Sequence, residues 1–325
     1  MGTIGTARRG KSSAAAMNPS LLAWFDVQGR DLAFRRTREP YAVLVSEVML
    51  QQTQAARVEP SWTAFMERFP TVAALATASP AEVIRAWDGL GYNGRAVRLR
   101  RAAEAIVRGH AARVPDEVAA LEGLPGVGPY TARAVAAIAF GRPVAAIDTN
   151  VGRVVRRVRG RVVRRVRGRV VRRVRGLTGS GGAADPPADI QALADDMVDA
   201  GRPADWTYAM MDVGALLCRP REPLCGECPL RSFCRSAGMA AAKQSPQNGA
   251  GVPFPATRRW LRGRIVGRLR SEPDGAWVHF EGPIGEHSAA AVDTALRQLA
   301  ADGLVERDRS GRARLPQGAA PERRA

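Results

Sequence analysis

The sequence predicts an all-α protein with a small α+β unit towards its C-terminal end. Three observations point there. From Leu21 to about Gly141, apolar residues recur at three- and four-residue spacing, broken at Pro70, Pro80, Pro115 and Pro125, and a second such stretch runs from about Asp189 to Leu217. Alternating or β-branched runs that would mark strands are nearly absent from both. The second stretch leads into Cys218, Cys225, Cys228 and Cys234, all four cysteines of the chain within seventeen residues.

Taken in order, residues 1–20 carry no such periodicity and are expected to be disordered, with Met17 an alternative start. Residues 21–235 form one helical domain. The stretch 236–259, rich in Ala, Gly, Pro and polar residues, reads as a linker. Within 260–325, Val292, Leu296 and Leu299 mark a helix, followed by two short extended runs around Ser310 and Gly311. That outline suits a winged-helix-like unit or a plain helical tail with a hairpin, and the pattern leaves both open.

The formal net charge of +18 calls for a polyanionic partner, since a basic surface attracts phosphate backbones and displaces their counterions. No apolar run approaches the roughly 18 to 20 residues of a membrane span, so no membrane partner is expected. Clustered cysteines in an intracellular setting suggest metal ligation more than disulfides. Their C-x6-C-x2-C-x5-C spacing brings four thiols from one compact loop, which suits a [4Fe-4S] cluster, with structural zinc and free thiols as the alternatives.

LPGVGPYTARAV, from Leu124 to Val135, reads as the turn of a helix-hairpin-helix motif. Pro125 ends one helix, Gly126 and Gly128 allow a tight turn around Val127, and Pro129 suits the first turn of the next helix. Backbone N–H groups at such a helix start bind phosphate without reading bases. Two isolated carboxylates also stand out. Glu47 lies among Val43, Leu44, Val45, Val48, Met49 and Leu50, where a carboxylate is costly to ionise and suited to giving a proton, unless it sits on a solvated face. Asp148, in AAIDTNV, either caps the helix beginning near Val151 or takes part in chemistry.

SEVMLQQTQ, GLGY, LPGVGPYTARAVAAIAFG, the aspartate of IDTNVGRV and the cysteine cluster occur in that order over residues 21–235. In this the chain resembles the adenine DNA glycosylases of the MutY type, within the endonuclease III superfamily. The resemblance implies a helix-hairpin-helix DNA glycosylase fold with an iron-sulfur cluster loop, and a hydrolase of base excision repair that removes adenine mispaired with 8-oxoguanine or guanine. It implies that Glu47 is the general acid that protonates adenine, that Asp148 stabilises the sugar cation, and that Tyr130 and Asn150 assist. Gln52, with Gln51 beside it, falls where a side chain is wedged into the base stack, and Arg30, Leu32 and Tyr208 fall at the adenine pocket. Gly126, Val127 and Gly128 hold the DNA backbone, while Cys218, Cys225, Cys228 and Cys234 hold the cluster. The implied partner is double-stranded DNA carrying a mismatch or an oxidised guanine, bound by a monomer that is cytoplasmic and nucleoid-associated in a bacterium.

Departures from the family pattern narrow this. A glycosylase with lyase activity needs lysine at the position of Tyr130, and the only lysines, Lys11 and Lys243, lie in segments expected to be disordered. Asn93 stands where relatives often have a second aromatic, and Tyr208 where they often have Gln or Glu. The C-terminal residues lack the motifs of a Nudix-like domain. A thymine-mismatch glycosylase of the same superfamily, or a non-catalytic DNA-binding relative, are the other readings.

The chain also carries GRVVRRVR three times without a mismatch, from residue 152 to 175. Two copies bring eight positive charges, and the chain without them would still stand at +10. Val151, Val154, Val155 and Val158 give the first copy an amphipathic helical stripe. Each further copy turns that stripe by about 80°, so the three cannot all face one core. Without two of the copies the spacing from Asp148 to the cysteine cluster is about the usual length of the family, so the resemblance implies that sixteen residues are an in-frame expansion, which adds sequence-independent DNA affinity, does nothing, or displaces Asp148.

Overall fold

The computed structural model of the chain describes residues 9–160, 188–239 and 252–318. In order, its elements are α1 (Arg9–Gln28), a 3-10 turn (Ala33–Arg35), α2 (Pro40–Leu50), α3 (Ala55–Arg68), α4 (Val72–Thr77), α5 (Pro80–Ala86), α6 (Gly94–Gly109), α7 (Val118–Glu122), α8 (Pro129–Phe140) and α9 (Thr149–Arg159). Then follow α10 (Ala188–Asp195) and α11 (Pro203–Asp212), which runs on into a π turn (Val213–Leu217). Beyond the cysteine loop come α12 (Arg258–Ser271), α13 (Ala289–Ala301) and strands β1 (Glu306–Arg307) and β2 (Ala313–Arg314). The second and third octapeptide copies beyond Gly160, and residues 240–251 of the expected linker, lie outside the described residues. No helix among the described residues is long and apolar enough to cross a membrane.

The chain divides into two compact units. The first comprises Met1–Val43, Asp116–Glu122 and Val127–Ser245. Its core joins Met17 and Leu21 of α1, the valines of α9, Ile190 and Ala194 of α10, and Trp206, Ala209 and Met210 of α11. The expected disorder of residues 1–20 does not hold from Arg9 onward. SSAAAMN contains three alanines, the strongest helix former, and Met17 and Leu21 place an apolar residue on one face four positions apart. In α9, Val151, Val154, Val155 and Val158 are all buried, as their spacing predicts.

The second unit comprises Leu44–Pro115, Gly123–Gly126 and Pro246–Ala325. Helix α5 starts with a reciprocal cap: Ser79 Oγ accepts from the Glu82 N–H at 3.2 Å, and Glu82 Oε2 accepts from the Ser79 N–H at 2.8 Å. Helix α6 turns Leu99, Ala102, Ala103 and Ile106 inward. The C-terminal unit expected to stand apart is instead built onto α5 and α6. Leu261, Ile265, Val266 and Leu269 of α12, with Val292, Leu296 and Leu299 of α13, share one core with Ala81, Ile84 and Val97. The Ala81 N–H donates to Pro316 O at 2.9 Å, and Arg270 Nε to Ile84 O at 2.9 Å. An amphipathic pair this short buries its apolar face only against a neighbour, which explains why no independent unit forms. Strands β1 and β2 pair antiparallel with Glu306 opposite Arg314, and Val278 bridges to Ala313. Two helices, a hairpin and a third extended segment give the winged-helix-like outline.

Candidate active site

Asp148 ends an extended segment anchored by buried Ala145, Ala146 and Ile147, and it caps α9. Its Oδ1 accepts from the Val151 N–H at 2.6 Å, and its Oδ2 from Asn150 Nδ2 at 3.2 Å. Arg153 fixes the amide of Asn150: Nη2 donates to Asn150 Oδ1 at 2.8 Å and to Gly214 O at 2.6 Å, while Nε donates to Cys218 O at 2.7 Å. The close approach of the π turn depends on Gly214, where a Cβ would lie 2.7 Å from that of Asn150. The capping role foreseen for Asp148 is therefore real, and it leaves the carboxylate half-buried with both oxygens in hydrogen bonds.

One turn along α9, Arg157 Nη2 donates to Ser236 O at 2.8 Å and Met239 O at 3.1 Å, and the Arg235 N–H donates back to Val158 O at 3.2 Å. The first octapeptide copy is thus docked on both faces, its valines in the core and two of its arginines on the loop that carries the cysteines. Those two arginines are committed to the protein's own carbonyls.

Burial raises three of the thiols of that loop, Cys218, Cys228 and Cys234. Cys228 is pushed up to about 11, first by burial and then by Cys218, Cys234 and Cys225. Burial also raises Cys218, against the nearby charges of Arg157 and Arg153. Among the described residues, no three His, Cys, Asp or Glu side chains group as they would around a single metal ion. An iron-sulfur cluster spreads its ligands over several iron atoms, so an all-thiol set on one loop suits it without converging on one point.

At the hairpin, Gly126 has φ +81, and a Cβ there would lie 2.8 Å from that of Arg98, so only glycine fits. Val127 is buried. Gly128 is the N-cap of α8 and supplies no side-chain cap, with Pro129 in the first turn, as the motif predicts. Tyr130 follows in the same turn, half-buried.

Glu47 lies in the second unit, on α2, and is only 2% exposed. The solvated-face reading fails because Val43, Leu44, Val45, Val48 and Met49 are buried as well, so α2 has no polar face in this stretch. Helix α2 ends in a turn held by a residue that no sequence pattern marks. Arg95 is buried, and its Nη1 donates to Val48 O, Met49 O and Gln51 O at 2.9, 2.7 and 2.6 Å. Its Nη2 donates to Thr53 Oγ1, Leu90 O and Gly91 O at 3.0, 3.1 and 3.1 Å. Burial, then the charge of Arg98, brings its pKa down to about 10, still charged at neutral pH. Gln51 Nε2 donates to Gly126 O at 3.4 Å, while Gln52 is exposed with φ +62.

The residues expected at the adenine pocket belong to the first unit. Arg30 binds Asp212 through its backbone N–H and Nε at 3.0 and 2.7 Å, and Arg35 grips the same carboxylate with two N–H donors at 2.9 Å each. Asp212 is fully buried. Burial pushes its carboxyl up, but Arg35 and then Arg30 outweigh it and hold the group below the usual range. Tyr208 is buried, with Arg35 4.5 Å and Arg38 5.3 Å from its ring centre, and Leu32 is half-buried before the 3-10 turn. Arg35 and Asp212 were not anticipated, although the lone acid in WTYAMMDVG was a signal. The structure brings Asp148 and Asn150 together, and gathers Gln51 and Gly126 around the turn that follows Glu47.

Residues 45–165 match the HhH-GPD superfamily base excision DNA repair protein family. The chain is 42% identical over 302 residues to an adenine DNA glycosylase of Mycolicibacterium smegmatis, covering 90% of this chain and 93% of that one. It is 40% identical over 311 residues to an adenine DNA glycosylase of Mycobacterium tuberculosis, covering 91% and 92%. A solved structure of a thermostable thymine-DNA glycosylase superposes with a TM-score of 0.58 at 27% identity, covering 69% of this chain and 96% of that one. With that similarity running almost end to end, the chain belongs to the adenine DNA glycosylases of the HhH-GPD superfamily.

Proposed function

We propose that this adenine DNA glycosylase hydrolyses the N-glycosidic bond of adenine mispaired with 8-oxoguanine or guanine in double-stranded DNA, working as a monomer in the bacterial cytoplasm at the nucleoid. The observation that carries the reading is the contrast between two carboxyls: Glu47 buried in an apolar helix, Asp148 with both oxygens in hydrogen bonds at a helix N-terminus. Burial among apolar side chains suits a carboxyl to giving a proton, while hydrogen-bond donors fix the direction in which the other faces, which is the division of labour that glycoside cleavage needs.

In this reading the target nucleotide is flipped from the duplex, because its glycosidic bond cannot be reached within the stack. Glu47 protonates a ring nitrogen of adenine so that the base leaves neutral, and afterwards takes a proton from the attacking water. Asp148 stabilises the positive charge that grows on the sugar, with Asn150 orienting its Oδ2 and Tyr130 assisting. Gln52, supported by Gln51, fills the gap beside the estranged base. Gly126, Val127 and Gly128 present backbone N–H groups to a phosphate. Arg30, Leu32 and Tyr208 border the adenine. Tyr130 stands where a lyase needs its lysine, so cleavage stops at the abasic site.

Cys218, Cys225, Cys228 and Cys234 hold a [4Fe-4S] cluster, which fastens the loop that Arg153 and Arg157 bind and takes no part in bond cleavage. Purified protein should be brown and contain iron; a colourless zinc protein would refute this assignment.

The test of function is release of base from labelled duplexes carrying A opposite 8-oxoguanine, A opposite G, and T opposite G, followed by alkali. Adenine release is expected from the first two, with Glu47→Gln slower by about a hundredfold to ten-thousandfold. Thymine release alone would favour the thymine-mismatch reading. Mismatch binding without release would favour the non-catalytic one.

A further inference from the structure

The C-terminal segment reaches the turn carrying Gln52 through Tyr92, the last residue of GLGY. Gln52 and Tyr92 are both non-glycine residues with positive φ, +62 and +45, a conformation that side chains with a Cβ avoid unless their surroundings impose it. The Tyr92 hydroxyl donates to Gln52 Oε1 at 3.4 Å. That hydroxyl in turn accepts from Arg259 Nη1, on the first turn of α12, at 2.5 Å. The Arg259 guanidinium lies 4.6 Å from the Tyr92 ring centre and 5.0 Å from that of Phe254, and Arg95 lies 5.7 Å from the Tyr92 ring. The next residue, Asn93, accepts from Arg270 Nη2 at 2.8 Å, from the other end of α12. The departure from the family pattern at Asn93 is therefore matched by a partner from the same helix.

Two further facts give this contact a direction. Tyr92 and Phe254 are 37% and 53% exposed, among the few large apolar side chains left in water, and both flank a cation. Exposed aromatics interleaved with arginine form a stacking surface for nucleobases. Arg259 is exposed, yet its N–H is spent on a phenol hydroxyl and its guanidinium lies by two rings, whereas an arginine serving only phosphates needs no such fixing.

We propose that Arg259 is a positioning residue for opposite-base discrimination: it holds Tyr92 against Gln52 and, with Phe254, completes the surface that receives the base left unpaired. The proposal rests on the reading of Gln52 as the residue that fills the stack. It deepens that reading by giving the C-terminal segment a part in specificity.

The experiment uses the full chain and duplexes holding a non-hydrolysable adenosine analogue opposite guanine or opposite thymine, with 2-aminopurine next to the opposite base. Wild type, Arg259→Ala, Arg259→Lys, Tyr92→Phe and the Arg259→Ala, Tyr92→Phe double variant are compared. In Arg259→Ala the preference for mismatched over matched duplex should fall about tenfold, the scale of one charge-assisted hydrogen bond. The 2-aminopurine signal should fall with it, and Arg259→Lys should restore part of both. In the Tyr92→Phe background, removing Arg259 should add less than about twofold, since the shared hydroxyl is already gone. Equal losses on both duplexes with a salt slope reduced by about one would mean a simple phosphate contact and overturn the proposal. Unchanged preference, or an undiminished effect in the Tyr92→Phe background, would overturn it too. Because these readouts need no base release, an enzyme inactive on adenine that still shows the Arg259 effect would sink the proposed reaction alone.

Discussion

Asp148 and the turn after α2 do comparable work, since each fixes a helix end that carries a candidate site residue, yet they are held in opposite ways. Asp148 is held from within its own neighbourhood, by the N–H of Val151 three residues on and the amide of Asn150 two residues on. The turn at Gln51 to Thr53 is held by Arg95, more than forty residues away, whose guanidinium gathers six oxygen acceptors from two separate turns. A local cap can lose one bond and leave the rest of the fold in place. A remote buried cation organises two segments at once, and its loss strands every carbonyl it served.

That difference predicts a ranking of stabilities. Arg95→Met, which keeps the bulk but removes the donors, should cost about 4 kcal/mol, because several buried carbonyls lose their partners together. Urea unfolding would read it, and a loss under about 1 kcal/mol would show that the turn holds itself. Asp212 is the second remote hub, joined to Arg30 and Arg35 across some 180 residues. Asp212→Ala should cost about 3 kcal/mol, since it leaves the buried guanidinium of Arg35 uncompensated. Asp212 also ties stability to pH. Its carboxyl ionises at lower pH folded than unfolded, so its contribution is complete above the ordinary value of 3.8 and is lost as pH falls through the folded value. Wild type should therefore lose stability below about pH 4 more steeply than Asp212→Ala; parallel curves would remove Asp212 as the cause. Ser79→Ala, which opens the local cap of α5, should cost only about 1 kcal/mol.

The same contrast separates what the sequence reveals from what it hides. The cap at Asp148, the Gly126 turn, Pro129 in the first turn of α8 and the valine stripe of α9 are all patterns within a few residues, and each is found where the spacing places it. The sequence does not single out Arg95, because RAVRLRR contains four arginines and local pattern does not say which turns inward. One cue was present: Arg95 stands four residues before Leu99 and eleven before Ile106, on the buried stripe of α6. Arg153 and Arg157 were hidden for the opposite reason, because a run of identical repeats suggests a uniform basic face. Their partners, Cys218 O and Ser236 O, lie 65 and 79 residues further along the chain. The C-terminal helices look like a separate unit in the sequence because nothing in their own residues names Ala81, Ile84 and Val97 as their core.

The most direct test of the account replaces Asp148 by Asn. Asparagine caps a helix about as well as aspartate but carries no charge. The variant should unfold within about 1 kcal/mol of wild type, while single-turnover adenine release falls by more than about a hundredfold, which would show that the cap also stabilises the sugar cation. Release at the wild-type rate from an equally stable variant would contradict this and leave Asp148 a helix cap only.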